Sequence, residues 1–127
     1  MGPPWSNGIT EFEPLMASAA LQLGELRAFC LNGVPILLGR AESGCFAMLN
    51  RCSHAGSALE TGRIRRNRLI CPFHGAQFDV CTGVSLANPP YLPLPRFEVR
   101  ELDGLIAVAV PPDFVLPEFA LGPPPAL

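Results

Sequence analysis

Lysine does not occur in this sequence; all nine basic residues are arginine, a usage we attribute to the composition of the source genome. Charge of either sign is scarce. Only 16% of residues are charged and the net charge is −2, so the basic excess that nucleic-acid binding needs is missing. No apolar run approaches a membrane span, and no membrane association is expected. The start, Met1-Gly2-Pro3-Pro4-Trp5, lacks the basic region and apolar run of a signal peptide. Helical periodicity of useful length is missing too. The five cysteines are an odd number. That argues against a secreted disulfide framework and for a reducing compartment, so a cytoplasmic location is expected.

Histidine occurs only twice, and each copy follows a cysteine closely. The chain reads Cys52-Ser53-His54, then sixteen residues, then Cys71-Pro72-Phe73-His74. Each short pair can aim both side chains at one point from a tight turn. Two thiolates and two imidazoles suit a tetrahedral zinc ion. They also suit a [2Fe–2S] cluster with two Cys on one iron and two His on the other. Structural zinc sites usually group cysteine with cysteine and histidine with histidine. Here one Cys is paired with one His at each end, which favours the cluster.

Further residues extend the pattern: Ala55-Gly56 after the first pair, Leu59-Glu60-Thr61-Gly62, Gly75 after the second pair, Phe78-Asp79-Val80 and Thr82-Gly83. With the ligand pairs they resemble the C-x-H…C-x-x-H-G signature of the small Rieske-type ferredoxins of aromatic-ring-hydroxylating dioxygenase systems. The similarity covers most of residues 10–110. It implies an all-β fold, an antiparallel sandwich or barrel base with a small cluster-binding subdomain inserted between two strands. It also implies one [2Fe–2S] cluster held by Cys52, His54, Cys71 and His74. The expected role is a soluble one-electron carrier and not an enzyme. Its partners would be an NAD(P)H-oxidising flavoprotein reductase and a terminal oxygenase, docking near His54 and His74, with the carrier a monomer.

Taken in order, a single domain of 127 residues is expected. Residues 1–8 are Pro/Gly-rich and read as loose. Strands are expected over Ile9–Leu15, Leu26–Leu31, Val34–Arg40 and Cys45–Leu49, with Ala17–Leu23 a loop or single helical turn. Asn32-Gly33 and Asp103-Gly104 are hairpin turns, since both positions tolerate positive φ. Residues 51–83 form the insertion, with a hairpin over Gly62–Arg65 and Arg68–Cys71 and a short strand over Ala76–Val80. The base, about 9–50 and 84–110, closes with strands Phe97–Leu102 and Leu105–Val110. Pro89-Pro90-Tyr91-Leu92-Pro93-Leu94-Pro95 is stiff and extended, and its counterpart in Rieske proteins closes the third side of the cluster. The Pro-rich tail 111–127 is too apolar for a free linker and is expected to lie across the base.

Smaller features bear on tuning. In the high-potential respiratory relatives, a Ser and a Tyr hydroxyl reach the cluster and a disulfide joins the two ligand loops. Here those places resemble Ala76, Phe78, Ser57 and Phe73, so a potential in the lower part of the Rieske range, about −150 to +300 mV, is expected. Gly56, Gly62 and Gly75 permit tight turns around the sulfurs. Arg63, Arg65, Arg66 and Arg68 are either a solvated hairpin or a steering patch, and Arg51 is a candidate functional cation. Cys30 and Cys45 read as small core residues and Cys81 as a turn residue.

Other functions give way for stated reasons. A complete ring-hydroxylating oxygenase needs two further histidines for its mononuclear iron, and none remains. A Rieske-type small subunit of a multicomponent oxidoreductase such as nitrite reductase is the alternative. A zinc-stabilised interaction module ranks last.

Overall fold

A computed structural model describes residues 11–125. The loose start expected for residues 1–8 and the opening of the strand expected from Ile9 lie outside the described residues. Nine strands follow: β1 (Phe12–Ala17), β2 (Leu26–Leu31), β3 (Val34–Ala41), β4 (Gly44–Leu49), β5 (Arg63–Arg65), β6 (Arg68–Ile70), β7 (Gln77–Asp79), β8 (Arg96–Leu102) and β9 (Leu105–Ala109). Single 3-10 turns sit at Ser18–Ala20 and Glu118–Ala120. Every strand pairing is antiparallel. A six-stranded sheet runs β1-β9-β8-β4-β3-β2, and a three-stranded sheet runs β5-β6-β7. The small sheet therefore lies in sequence between β4 and β8, the all-β arrangement with an insertion that the sequence implies.

Local sequence explains the hairpins. Asn32 (φ 51°) with Gly33 (φ 77°) joins β2 to β3, and Asp103 (φ 54°) with Gly104 (φ 77°) joins β8 to β9. Both central residues are left-handed, which matches the strand twist. The first strand departs from expectation. It continues past Leu15 to Ala17, with its register against β9 shifting between Pro14 and Met16. β1 is an edge strand, where an irregular pairing and a missing N–H donor are tolerated.

β3 and β4 carry two interiors at once. Leu37, Phe46 and Met48 face a core shared with Leu59, Leu69, Phe78, Val80, Leu94, Cys52 and Cys71. Ile36, Leu38, Ala47 and Leu49 face a second core with Leu21, Val34, Phe97, Ile106 and Val108. Strand alternation sends neighbouring side chains to opposite faces, so the run Ile36-Leu37-Leu38 is buried on both sides. One face thus fills the base and the other seats the small sheet.

One cysteine reading needs correction and a second holds in part. Cys30 is exposed rather than core, because it lies on the outward face of edge strand β2. Cys45 is half-buried and packs against the second core, and its thiol also meets Glu101; burial, with Glu101 adding, pushes it up to about 11. The tail lies across the base, with Phe114, Leu116 and Phe119 packed on the second core. Phe119 also reaches the first core.

Candidate metal centre

Cys52 and Cys71 open two loops of the same construction. In the first, Cys52 N–H donates to Ser57 O (2.8 Å) and Gly56 N–H to Cys52 O (2.7 Å). In the second, Cys71 N–H donates to Ala76 O (2.8 Å) and Gly75 N–H to Cys71 O (3.1 Å). Each loop turns on a left-handed glycine four residues after the cysteine, Gly56 at φ 72° and Gly75 at φ 74°. An L side chain rarely adopts that conformation. The matched turns bring the two cysteines side by side and leave the two imidazoles at the tip.

Burial separates the two residue types. Cys52 and Cys71 are 0% and 2% exposed, whereas His54 and His74 are exposed. The imidazoles lie edge to face, centroids 5.3 Å apart. Burial pushes the Cys52 thiol up to about 11; the N–H groups of His54 and Ala55 pull it down, and Cys71 pushes it up again. Positive charge, which iron would supply, would favour the thiolate of Cys52. Among the described residues no group of three or more His, Cys, Asp and Glu side chains is gathered to hold one ion. Two cysteines and two histidines are the donor types that a mixed two-iron cluster uses, with Cys on one iron and His on the other.

Neighbouring side chains fix these groups. Tyr91, from the proline-rich segment, stacks on His54 at 4.3 Å with the planes 17° apart. Phe73 meets His74 edge-on at 4.4 Å. Ser53 Oγ donates to Leu92 O, drawing that segment against the first loop. Asn50, buried at the end of β4, accepts from Leu59 N–H (2.8 Å) and donates to Glu60 (3.2 Å).

Two contacts lay beyond sequence reasoning. Ser57, fully buried, places its hydroxyl 3.4 Å from Cys71 Sγ. The family resemblance marks it only as the place of an absent disulfide partner. Arg51, 6% exposed, donates from Nε to Gly56 O and from Nη1 to Ala120 O (3.3 Å) and Gly122 O (2.9 Å). Burial lowers its pKa from the ordinary value. The guanidinium thus ties the first loop to the tail. Nothing local in the sequence pairs Arg51 with residues some seventy positions away.

A barrel-like base carrying paired Cys-His loops at one tip defines an iron–sulfur protein of the two-cysteine, two-histidine kind. The family model described as Rieske [2Fe-2S] domain matches residues 11–98, and the chain belongs to that family. Its cofactor is one Rieske-type [2Fe–2S] cluster. Ferredoxin CarAc of Metapseudomonas resinovorans is 33% identical over 94 residues, 73% of this chain and 88% of that one. The ferredoxin component of biphenyl 2,3-dioxygenase from Rhodococcus jostii is 36% identical over 90 residues, 71% of this chain and 83% of the relative. Among solved structures, a ferredoxin in complex with the oxygenase of carbazole 1,9a-dioxygenase superposes with a TM-score of 0.72 at 32% identity. That match covers 81% of this chain and 94% of the other.

Proposed function

We propose that this chain is the ferredoxin component of a ring-hydroxylating dioxygenase system, with Cys52 and Cys71 on one iron and His54 and His74 on the other. The observation that carries this is the segregation of two buried sulfurs from two exposed imidazoles at one tip. When bound, the cluster supplies a centre that takes up and releases one electron. The chain is a carrier and not an enzyme.

Its own residues do the rest. The cysteines bind from a dry interior shared with Leu59, Leu69 and Phe78, which excludes water. With Cys71 bound as a thiolate, the Ser57 hydroxyl would donate to its sulfur and favour the more negative, reduced state. Tyr91 and Phe73 fix the ring planes of His54 and His74. The outer edges of those rings form the exit at which a partner docks. Upstream, that partner is a flavoprotein reductase using NAD(P)H; downstream, a terminal ring-hydroxylating oxygenase. Support for the latter is the oxygenase complex of the similar carbazole-system ferredoxin. No described helix is long and apolar enough to cross a membrane. A cytoplasmic location belongs to this proposal, supported by free thiols at Cys30, Cys45 and Cys81.

The test begins with two irons and two acid-labile sulfides per chain and the low-average-g resonance of a mixed Cys/His cluster on reduction. Cys71→Ser and His74→Ala should each abolish that resonance. Reconstitution with candidate reductases and oxygenases then asks which pair turns over only when this chain is added. One zinc per chain and no reducible chromophore would overturn the assignment.

A further inference from the structure

Beside the tip lies an open cleft of about 330 Å³ lined by Arg63, Arg65, Arg66, Arg68, Ile70 and Gln77. Four of the nine arginines and none of the eleven acids fall in residues 63–68, within a chain of net charge −2. Alternation along β5 and β6 turns Ile64 and Leu69 toward the first core and the arginines outward. Among the described residues the ion pairs are Arg27–Glu25 and Arg40–Glu101, so none of these four is paired. Asp79, opposite Arg68 in register, accepts from Cys81 N–H (2.7 Å). Glu42 lines a separate cleft with Arg65 and Arg66.

The arrangement is unfavourable to the fold by itself. Arg65 and Arg68 are direct cross-strand partners, and like charges so placed destabilise a hairpin. Arg66 is left-handed at φ 58°, a conformation that asparagine or glycine would take with less strain. A solvated hairpin needs neither feature. The face also adjoins the second ligand loop: Arg63 lines the neighbouring cleft with Cys71, Pro72 and Gly75.

From this we infer that the 63–68 hairpin is a docking face for a redox partner whose surface presents carboxylates, and that it steers that partner onto the tip. The inference rests on the carrier reading above. Guanidinium forks suit carboxylates in bidentate geometry. Clustered charge of one sign raises association rates by ~10–1000-fold at low ionic strength.

The test uses the cluster-loaded full chain and the variant Arg65→Gln/Arg66→Asn/Arg68→Gln. Each protein is reduced with dithionite and mixed with hexacyanoferrate(III), which takes one electron and becomes hexacyanoferrate(II). Tris(phenanthroline)cobalt(III) serves as the cationic counterpart. For the wild type, the rate with the anion should fall as salt rises. The variant should react about tenfold more slowly with the anion at low salt and lose most of the salt slope. With the cation it should be no slower. Its midpoint potential should match the wild type and its melting temperature should be equal or higher, since the hairpin has lost its repulsion and strain. Poly-L-glutamate should slow the anion reaction of the wild type only. Equal rates and slopes for the two proteins, or indifference to poly-L-glutamate, would overturn the docking face while leaving the carrier reading intact. A chain that cannot be reduced and reoxidised would overturn the carrier reading, and the docking face with it.

Discussion

The six-stranded sheet and the tip it carries bury their residues by different means. In the large sheet, alternation places Ile36, Leu38, Ala47, Leu49, Ile106 and Val108 in one interior, and backbone pairing satisfies the polar atoms. At the tip, strands are only three residues long and much of the backbone is loop. There the loops are held by matched glycine turns, by Asn50 and Arg51 reaching in from the end of β4, and by two cysteines counted among the core. The base owes its order to a repeating pattern. The tip owes its order to single side chains, each with its own task, and one substitution there should matter more than one on the sheet.

The largest test of this contrast is Gly62→Ala. A Cβ at that position would lie 2.3 Å from Ile70 O, a backbone atom that cannot yield. We expect the variant to lose most of its iron and visible absorption while the far-ultraviolet dichroism of the large sheet persists. Full iron content would break the contrast. Next comes Arg51→Met, which strands the carbonyls of Gly56 and Ala120. Urea unfolding should show a loss of ~2–3 kcal/mol, the usual effect of leaving buried acceptors unpaired. An unchanged midpoint would mean that the tail is not held through this residue.

Ser57→Ala sharpens the comparison within the tip. Removing the hydroxyl beside Cys71 Sγ should lower the midpoint potential by about 30–60 mV, since ~59 mV corresponds to 1.4 kcal/mol for one electron. Spectroelectrochemical titration reads this directly, with stability little altered. The smallest effect belongs to the base. The Ser18 hydroxyl, the Cys45 thiol and Arg40 hold the Glu101 carboxyl below its ordinary 4.5. The fold favours the charged form, so this stabilisation is present above that value and is lost as pH falls through the depressed pKa. Glu101→Gln should lower stability at pH 7 by less than ~1 kcal/mol, as for other exposed pairs. Denaturation curves of the two proteins should converge in acid.

Sequence legibility followed the same division. Asn32-Gly33 and Asp103-Gly104 announced their hairpins because turn chemistry is local. The Cys-His pairs were legible because each lies within a few residues. What stayed hidden was long-range. Leu15 closes the expected first strand, but pairing with β9 carries it to Ala17 through a shifted register. Cys30 and Cys45 read as core because small apolar residues in strands often are; Cys45 does pack against the second core, but Cys30 lies exposed on an edge strand. Ser57 reaches Cys71 across fourteen positions, and Arg51 finds its acceptors near the far end of the chain.

The double-faced strand β3 carries a consequence for how such a chain can vary. Loss of a single codon between Val34 and Gly39 would shift the downstream side chains to the opposite face, delivering Leu38 to the tip and its neighbours to the base. The two hydrophobic sets differ in shape, so neither compartment would refill correctly. Single-residue deletions there should be purged from a variant library, while the edge strand β2 tolerates them. A frame written twice in one strand leaves evolution room to substitute but almost none to slide.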